Sequence, residues 1–311
     1  MNSSKIAIAI HGGAGTIPRG SLSPSQEKMY LEALRSALEA GYALLKSGAS
    51  SLDAVCRSVM ELENCPLFNS GRGSVFTHDG KIEMDASVMN GENLDAGAIA
   101  ACTGIANPVL LARMVMEKTD HVLLVGEGAN RFAEEMNIPK MPDDYFYTEF
   151  RWKQLESIRD SGKTMLDHQA DKKFGTVGAV ALDQQGHLAA ATSTGGMTNK
   201  KYGRIGDSPI IGAGTYANDI SCAVSCTGSG EYFMKCSAAF QVHAGMHFGG
   251  LSLEQSSSQL VHQELPKIGG DGGLIALDAH GNVCTPFNTE GMYRAYIDKN
   301  GKTEVLIYGI G

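Results

Sequence analysis

Hydrophobic and polar positions along the first half of the chain follow two alternating patterns, which predict strands followed by helices. Residues 6–10 form a short apolar run that ends in glycines, as a buried strand does. Ser23 stands before Pro24 and three residues before Gln26, which is the pattern of a helix N-cap with a capping box. Leucines then recur at helical spacing, so we expect this helix to end near Gly48.

The same reasoning predicts the next elements as far as residue 136. Apolar residues at helical spacing or in short runs mark each of them. They are a helix from about Ser51, a helix over 109–118 opened by Asn107 and Pro108, a strand over 121–125, and a helix over about 127–136.

The pattern changes in the middle of the chain. Residues 153–173 are mostly polar, and from Asp160 onward they show no sustained hydrophobic period. This predicts a flexible, exposed connector over about 153–175. An ordinary surface loop between two strands accounts for the composition equally well.

The second half is rich in strand patterns. Residues 178–194 have the pattern of a hairpin, and residues 273–289 repeat it with the same Asp-x-x-Gly turn. Residues 231–249 and 251–264, which lie between the two hairpins, have helical patterns. Because the strands carry many small apolar residues, we expect sheets covered on both faces. Two sheets held between helices satisfy that requirement.

Composition excludes several classes of protein. The chain has 311 residues, of which 43% are hydrophobic and 19% are charged, so it can bury a large core. Its net charge of -8 and the lack of a basic stripe argue against nucleic acid as a partner. No segment has the length of a membrane span, and the first apolar run is too short for a signal peptide, so we expect neither a membrane partner nor a secreted protein.

The seven cysteines are scattered and form no Cys-x-x-Cys pair. An odd, scattered set is typical of unpaired, buried thiols in a reducing compartment. We therefore expect a cytoplasmic protein without disulfides.

Thr176 is the most informative candidate for a catalytic residue. It follows Gly175 and begins the first hairpin strand. A threonine hydroxyl is a poor nucleophile unless a base takes its proton, and the residue's own α-amine is such a base at a chain terminus. Cleavage of the Gly175–Thr176 bond would create that terminus. A β-branched residue that simply begins a strand is the alternative, and Thr176 alone does not exclude it.

Seven short motifs, spread over nearly the whole chain, together carry a family resemblance. They are His11-Gly12-Gly13-Ala14-Gly15, Cys65-Pro66-Leu67-Phe68-Asn69-Ser70-Gly71, Met84-Asp85-Ala86-Ser87-Val88-Met89, Gly175-Thr176-Val177-Gly178-Ala179-Val180, Thr192-Ser193-Thr194-Gly195-Gly196, Gly203-Arg204-Ile205-Gly206-Asp207-Ser208-Pro209 and Cys226-Thr227-Gly228-Ser229-Gly230-Glu231. In this order they resemble the plant-type asparaginases and isoaspartyl aminopeptidases, which are N-terminal-nucleophile (Ntn) hydrolases.

The resemblance implies a fold, an activation step and an activity. The fold would be a single α+β domain over residues 1–311, a four-layer αββα sandwich. Self-cleavage would divide it into an α subunit of residues 1–175 and a β subunit of residues 176–311, and two such heterodimers would associate. The substrates would be L-asparagine and β-aspartyl dipeptides, with no catalytic cofactor.

The resemblance also assigns roles to individual residues. Thr176 would be the nucleophile and Thr194 would orient it, although a cross-strand threonine pair is the ordinary alternative for Thr194. Thr227 and Gly228 would form an oxyanion hole. The remaining substrate-binding positions would be Arg204, Ile205, Gly206, Asp207, Ser229, Gly230 and Asn69.

Arg204 and Asp207 have a physical rationale of their own. An aspartyl substrate presents an α-carboxylate and an α-ammonium, which a bidentate cation and a nearby anion would bind. An Arg-x-x-Asp loop offers both groups. A surface salt bridge across a turn is the commoner use of such a pair.

A structural sodium ion is the last implication of the resemblance. Main-chain oxygens in the loop over 62–73 would bind it, since hard cations accept carbonyl ligands. The residues concerned are Leu62, Glu63, Cys65, Phe68, Ser70 and Arg72.

Three rival functions are less well supported. A glycosylasparaginase would be expected to have a secretory address and disulfides, and neither is visible in the sequence. A taspase-type protease would have a long insertion, which is not apparent in 311 residues. A non-catalytic homologue would retain the aspartate pocket but never cleave itself, and the presence of Gly175, Thr176, Thr194 and Thr227 together argues against it. His243 and His247 are four residues apart as zinc ligands can be, but the glutamate of a His-Glu-x-x-His motif is missing, so we expect them to lie on a helix face.

Overall fold

The computed structural model describes residues 5–159 and 175–309 of the chain, and within them the strands form two sheets. The larger sheet has eight strands, β1 Ala7–Gly15, β2 Met84–Asn90, β3 Ala96–Cys102, β4 Leu123–Val125, β5 Val177–Leu182, β6 Leu188–Thr194, β11 Gly291–Ile297 and β12 Thr303–Tyr308. Their spatial order is β12-β11-β1-β5-β6-β2-β3-β4. All neighbours are antiparallel except β3 and β4.

The smaller sheet has four strands in the described part of the chain. They are β7 Thr215–Ala217, β8 Cys222–Gly228, β9 Gly272–Asp278 and β10 Val283–Cys284, in the order β10-β9-β8-β7. All its neighbours are antiparallel.

Helices fill the segments between the strands. They are α1 Pro24–Lys46, α2 Ser51–Asn64, α3 Pro108–Lys118, α4 Glu127–Glu135, α5 Asp143–Phe146, α6 Glu149–Ile158, α7 Gly230–Lys235, α8 Ala238–His247, α9 Leu253–Gln259 and α10 Leu265–Lys267, with a 3-10 turn at Gly71–Gly73 and a π-helical turn at Leu260–Glu264.

Local sequence explains where the first two helices begin. The Ser23 hydroxyl accepts a hydrogen bond from the Gln26 amide, and the Gln26 side chain accepts one from the Ser23 amide, which confirms the capping box. Ser50 caps α2 by accepting from the Asp53 amide. The predicted starts of both helices are therefore confirmed.

The core divides according to the alternation of side chains along the strands. Ala7 and Ala9 of β1 pack in one cluster with residues of β8 and β9, whereas Ile8 and Ile10 pack in another with α1 and α2. Both sides of the larger sheet are thus apolar in its centre. The small side chains on one side let the second sheet approach closely.

The β5–β6 hairpin and its neighbours place the site. Val177 pairs with Ser193 and Gly178 with Thr192, so Thr176 lies just before the first pair of β5. Thr194, the last residue of β6, also pairs with Asp85 of β2. The nucleophile candidate therefore stands at the end of a buried strand in the centre of the larger sheet.

One boundary of the predicted connector is wrong. Residues 153–158 belong to α6, which Thr148 caps through the Arg151 amide, and Leu155 and Ile158 are buried. The polar residues between these two apolar positions conceal a helix that tertiary packing stabilises. Residues 160–174, the rest of the predicted connector before Gly175, lie outside the described residues.

Candidate active site

Two threonine hydroxyls meet at the end of the β5–β6 hairpin. Thr176 Oγ1 lies 3.2 Å from Thr194 Oγ1, and both residues are buried. The Gly196 amide donates to the same Thr194 oxygen at 3.0 Å. Thr194 Oγ1 thus accepts from both the Thr176 hydroxyl and the Gly196 amide, which holds the two threonine side chains together.

The peptide group before Thr176 lies against the backbone of Gly13. Gly13 has φ +110°, and a Cβ added there would lie 2.5 Å from the Gly175 amide nitrogen. A Cβ added at Gly175 itself would lie 3.0 Å from Thr227 Oγ1. Glycine at these positions thus lets the chain fold over the Gly175–Thr176 bond with the Thr227 hydroxyl facing it.

Thr227 and Gly228 end strand β8. Thr227 is fully buried, and its hydroxyl accepts a hydrogen bond from the Ala14 amide at 3.3 Å. Gly228 has φ +146°, and a side chain there would collide with the backbone at Asp271 and Gly272. The end of β8 therefore turns sharply at a position that only glycine fits.

Arg204 has an ion-pair partner, Glu231 of α7, which we did not predict from the sequence. Arg204 Nε donates to Glu231 Oε1 at 2.8 Å and Nη2 donates to Oε2 at 2.9 Å. Burial of Glu231 opposes ionisation, but the hydrogen bond and the charge of Arg204 hold its pKa below the usual value. Arg204 keeps N–H donors that Glu231 does not occupy, including both on Nη1.

Asp207 is a buried carboxyl with an unsatisfied oxygen. It is 3% exposed, and Oδ2 has no hydrogen-bond partner. Burial raises the pKa of Asp207 to about 7, although the Arg204 charge opposes the rise. An unsatisfied buried oxygen beside a cavity is the kind of group that a bound cation would satisfy.

Asn69 connects the loop over 62–73 to the turn after Thr194. Its amide group donates to the Gly196 carbonyl at 2.7 Å, and its side-chain oxygen accepts from the Val75 amide at 3.0 Å. Its main-chain carbonyl accepts from the Gly195 amide. Asn69 thus holds the backbone that carries Thr194.

These residues surround one cavity. Its lining residues are Asn69, Gly175, Thr176, Thr194, Gly196, Met197, Arg204, Gly206, Asp207, Ser208, Gly228 and Gly230. With Gly175 and Thr176 joined, the cavity leaves about 20 Å³ of free space, which is room for one water molecule. An aspartyl substrate needs more space than that.

Three of the predicted binding residues lie outside the lining. Ile205 and Thr227 do not contribute to it, and Ser229 binds the carboxylate of Asp271 through its hydroxyl. Conversely, Gly196, Met197 and Ser208 line the cavity, although we did not predict a role for them from the sequence.

A zinc site at the two helical histidines has no support. Within residues 5–159 and 175–309, no cluster of three or more His, Cys, Asp or Glu side chains could hold a metal ion. His243 and His247 lie on one face of α8 with their rings stacked, 5.4 Å between centroids, and His243 bonds Ser221. They are helix-face residues, as predicted.

The sequence profile of the asparaginase family matches residues 4–307, which is nearly the whole chain. The chain belongs to the asparaginase family. Three relatives show how close the similarity is. The isoaspartyl peptidase of Escherichia coli (strain K12) is 53% identical over 297 residues, covering 94% of this chain and 92% of the relative.

The other two relatives come from more distant organisms. The isoaspartyl peptidase/L-asparaginase of Rattus norvegicus is 43% identical over 307 residues, covering 97% of this chain and 89% of the relative. The plant-type L-asparaginase of Pyrococcus furiosus is 43% identical over 310 residues, covering 96% of this chain and 98% of the relative.

Two further properties of this asparaginase-family chain bear on the predictions. All seven cysteines are free, and four of them, Cys56, Cys102, Cys222 and Cys226, are buried, whereas the predicted burial is wrong for the partly exposed Cys65, Cys236 and Cys284. Within the described residues, no helix has both the length and the apolar character needed to cross a membrane.

Proposed function

We propose that the chain is a self-activating threonine amidohydrolase that cleaves β-aspartyl dipeptides and L-asparagine. One observation carries the proposal: the Thr176 hydroxyl, paired with Thr194, lies beside the Gly175–Thr176 bond in the same cavity as Arg204 and Asp207. The names of the relatives, isoaspartyl peptidase and L-asparaginase, agree with it.

Activation begins with attack of Thr176 Oγ1 on the Gly175 carbonyl carbon. The hydroxyl proton passes to the Thr176 nitrogen as the C–N bond breaks, which leaves an ester between the two residues. Water then hydrolyses the ester and gives a Gly175 carboxylate and a free Thr176 α-amine. Thr227, whose hydroxyl faces Gly175, and the Gly228 amide would stabilise the negative oxygen in the intermediate.

Substrate hydrolysis uses the same atoms a second time. The free α-amine takes the proton from Oγ1, and the ordinary pKa of such an amine, about 7.7–8.0, suits a base at neutral pH. The oxygen attacks the side-chain carbonyl of the substrate and expels ammonia or an amino acid, which carries away the proton. Water then releases aspartate from the acyl-enzyme and restores the hydroxyl.

Departure of the segment that ends at Gly175 would open the cavity for this substrate. Arg204 would bind the α-carboxylate with the donors that Glu231 leaves free, and Asp207 Oδ2 would accept from the α-ammonium. Asparagine and β-aspartyl peptides share this head group, so one pocket serves both.

Arg204→Ala should still cleave itself but lose most activity on β-aspartyl dipeptides. Loss of a charge-assisted hydrogen bond costs about 1.5–3 kcal/mol, so kcat/KM should fall roughly tenfold to a hundredfold. Steady-state kinetics of the cleaved protein measure this, with Arg131→Ala at an exposed position of α4 as the matched control. Unchanged kinetics in cleaved Arg204→Ala would remove the residue from the pocket.

The raised pKa of Asp207 predicts a pH dependence of substrate binding. Because only the carboxylate binds the α-ammonium well, KM should fall as pH rises through about 7. The Thr176 amine should act on kcat instead, so pH profiles measured between roughly 5.5 and 8.5 separate the two titrations. A KM that is flat over this range would contradict the assignment.

The pH dependence of protein stability tests the direction of the Asp207 pKa shift. The pKa of Asp207 is higher in the folded protein than in the unfolded chain, so its ionisation lowers stability as pH rises from about 4 through 7. Asp207→Asn cannot ionise. Its melting temperature relative to wild type should therefore increase between about pH 5 and about pH 8.

We also propose a structural sodium ion in the loop over 62–73. The carbonyls of Leu62, Cys65, Phe68 and Ser70 each accept one backbone hydrogen bond, which leaves a second lone pair for a cation. The Glu63 side chain is not free for this purpose, since it accepts from the Val109 amide and Asn107. Main-chain oxygens, including those of Glu63 and Arg72, would thus hold the ion and stiffen the loop that carries Asn69.

The finer architecture and assembly are proposals as well. A four-layer αββα sandwich agrees with two apolar clusters, one that runs between the sheets and beneath α8 and α9, and one beneath α1 and α2. Two cleaved heterodimers would associate, which light scattering would measure.

A cytoplasmic location agrees with the free cysteines. Residues 1–175 and 176–311 would remain one folded domain after cleavage, because β1 pairs with both β5 and β11.

A further inference from the structure

His11 holds the main chain of Thr176 from the neighbouring strand. It is completely buried, and its Nδ1 lies 3.0 Å from the Thr176 carbonyl oxygen. Its other ring nitrogen, Nε2, lies 2.9 Å from Ser225 Oγ on strand β8 of the smaller sheet. One imidazole thus connects the nucleophile candidate to the second sheet.

The hydrogen bonds continue from Ser225 through three more buried hydroxyls. Ser225 Oγ lies 2.7 Å from Thr192 Oγ1, to which Thr215 donates at 2.5 Å. Ser87 Oγ lies 2.7 Å from Thr215 Oγ1 and 2.6 Å from the Ser208 carbonyl oxygen, and its single proton can be donated to only one of them. These polar contacts therefore extend from His11 to the loop that carries the substrate-binding candidates.

The proton positions are fixed at the His11 end of this chain of contacts. A carbonyl oxygen can only accept, so His11 must carry a proton on Nδ1. Burial lowers the pKa of His11 to about 3, so the ring is neutral and Nε2 must accept from the Ser225 hydroxyl. Because the Ser225 proton is used in the bond to His11, Ser225 can only accept from Thr192, whose hydroxyl also lies 3.3 Å from the Gly214 carbonyl oxygen.

Gly178 leaves the space that the His11–Ser225 hydrogen bond occupies. It pairs with both His11 and Thr192 in the larger sheet, so it lies beneath the His11–Ser225 contact. A Cβ added at Gly178 would lie 2.5 Å from His11 Nε2 and would also collide with Ser225 Oγ. A residue without a side chain is required for this bond to cross β5 between the two sheets.

We propose that His11 is a positioning residue that keeps the Thr176 nucleophile aligned after activation, through a proton arrangement set by Ser225. Backbone pairing of β5 begins at Val177, and cleavage removes the covalent link to Gly175. The His11 bond then becomes the main-chain tether of the terminal residue. The contacts beyond Ser225 extend to Ser208, next to Asp207, so the nucleophile and the substrate-binding loop adjoin one buried polar cluster.

The inference rests on the proposed hydrolase function and is tested with the matured enzyme. Ser225→Ala keeps His11 but removes the proton donor to Nε2. Displacement of a reacting atom by about 1 Å can cost a hundredfold, so kcat for a β-linked Asp-Leu dipeptide should fall roughly tenfold to a hundredfold. KM should change less than about threefold, because Arg204 and Asp207 are untouched.

Three further variants distinguish a positioning role of His11 from a purely structural role in folding. Ser256→Ala, the matched control, removes a buried hydroxyl that bonds Val242 in the helical region and should leave kcat near wild type. His11→Phe should lose as much kcat as Ser225→Ala or more. His11→Asn retains an N–H close to the position of Nδ1, so it should recover part of that loss.

Nuclear magnetic resonance of ¹⁵N-histidine-labelled protein reads the proton arrangement without relying on activity. Wild-type His11, assigned with the His11→Asn variant, should show a protonated Nδ1 and an unprotonated Nε2 between about pH 5 and about pH 8. A protonated Nε2, or a kcat in Ser225→Ala equal to that in Ser256→Ala, would overturn the inference. A wild type that neither cleaves itself nor hydrolyses the dipeptide would instead refute the proposed function, and the spectrum would still test the hydrogen-bond chain.

Discussion

Thr176→Ala should remain a single uncut chain and should not hydrolyse β-aspartyl dipeptides at a measurable rate. No hydroxyl remains to attack Gly175, and no nucleophile remains to attack the substrate. Removal of a catalytic nucleophile can lower kcat by about 10⁶-fold, and here the uncut chain also blocks the cavity. A denaturing gel and a dipeptide assay measure the two effects separately.

Thr176→Ser is the matched variant for this experiment. Serine keeps the hydroxyl and the α-amine, so it should still cleave and retain part of the activity. Cleavage of Thr176→Ala at the same bond would show that another group performs the attack. Activity in the uncut alanine variant would show that Thr176 is not the nucleophile.

The second large effect is discrimination between two dipeptides of the same composition. A β-linked Asp-Leu dipeptide should be hydrolysed, and the α-linked isomer should not. In the α-isomer the peptide bond consumes the carboxylate that Arg204 binds, and sites built around a specific polar group reject analogues without it by roughly 10⁴-fold or more. Comparable rates on both isomers at equal concentration would refute the substrate assignment, even in a protein that cleaves itself at Thr176.

Local patterns in the sequence predict much of this architecture. The capping box at Ser23 and the alternation along β5 and β6 have short-range causes, so the helix start and the hairpin follow from neighbouring residues. The hairpin also explains why Thr176 and Thr194 meet, since its two strands have their open ends side by side. Helix α6 does not follow from its neighbours in the same way, because its packing and not its composition stabilises it.

Contacts between distant segments have no such local cause. Glu231 binds Arg204 from a separate helix, and Asn69 reaches Gly196 across the site. Ser225 lies 214 residues from His11 in the sequence, and the motif that contains His11 does not by itself indicate a bond between them. The one local indication of this contact is Gly178, because glycine inside a strand often marks a close approach of other groups.

Intact-mass spectrometry of freshly purified wild-type protein, with a parallel assay on the β-linked dipeptide, tests the central claim most directly. We expect one species to be replaced by two fragments, residues 1–175 and 176–311, while hydrolysis increases in proportion to the cleaved fraction. A chain that hydrolyses the dipeptide while it remains intact, or a cut at any bond other than Gly175–Thr176, would contradict self-activation by Thr176.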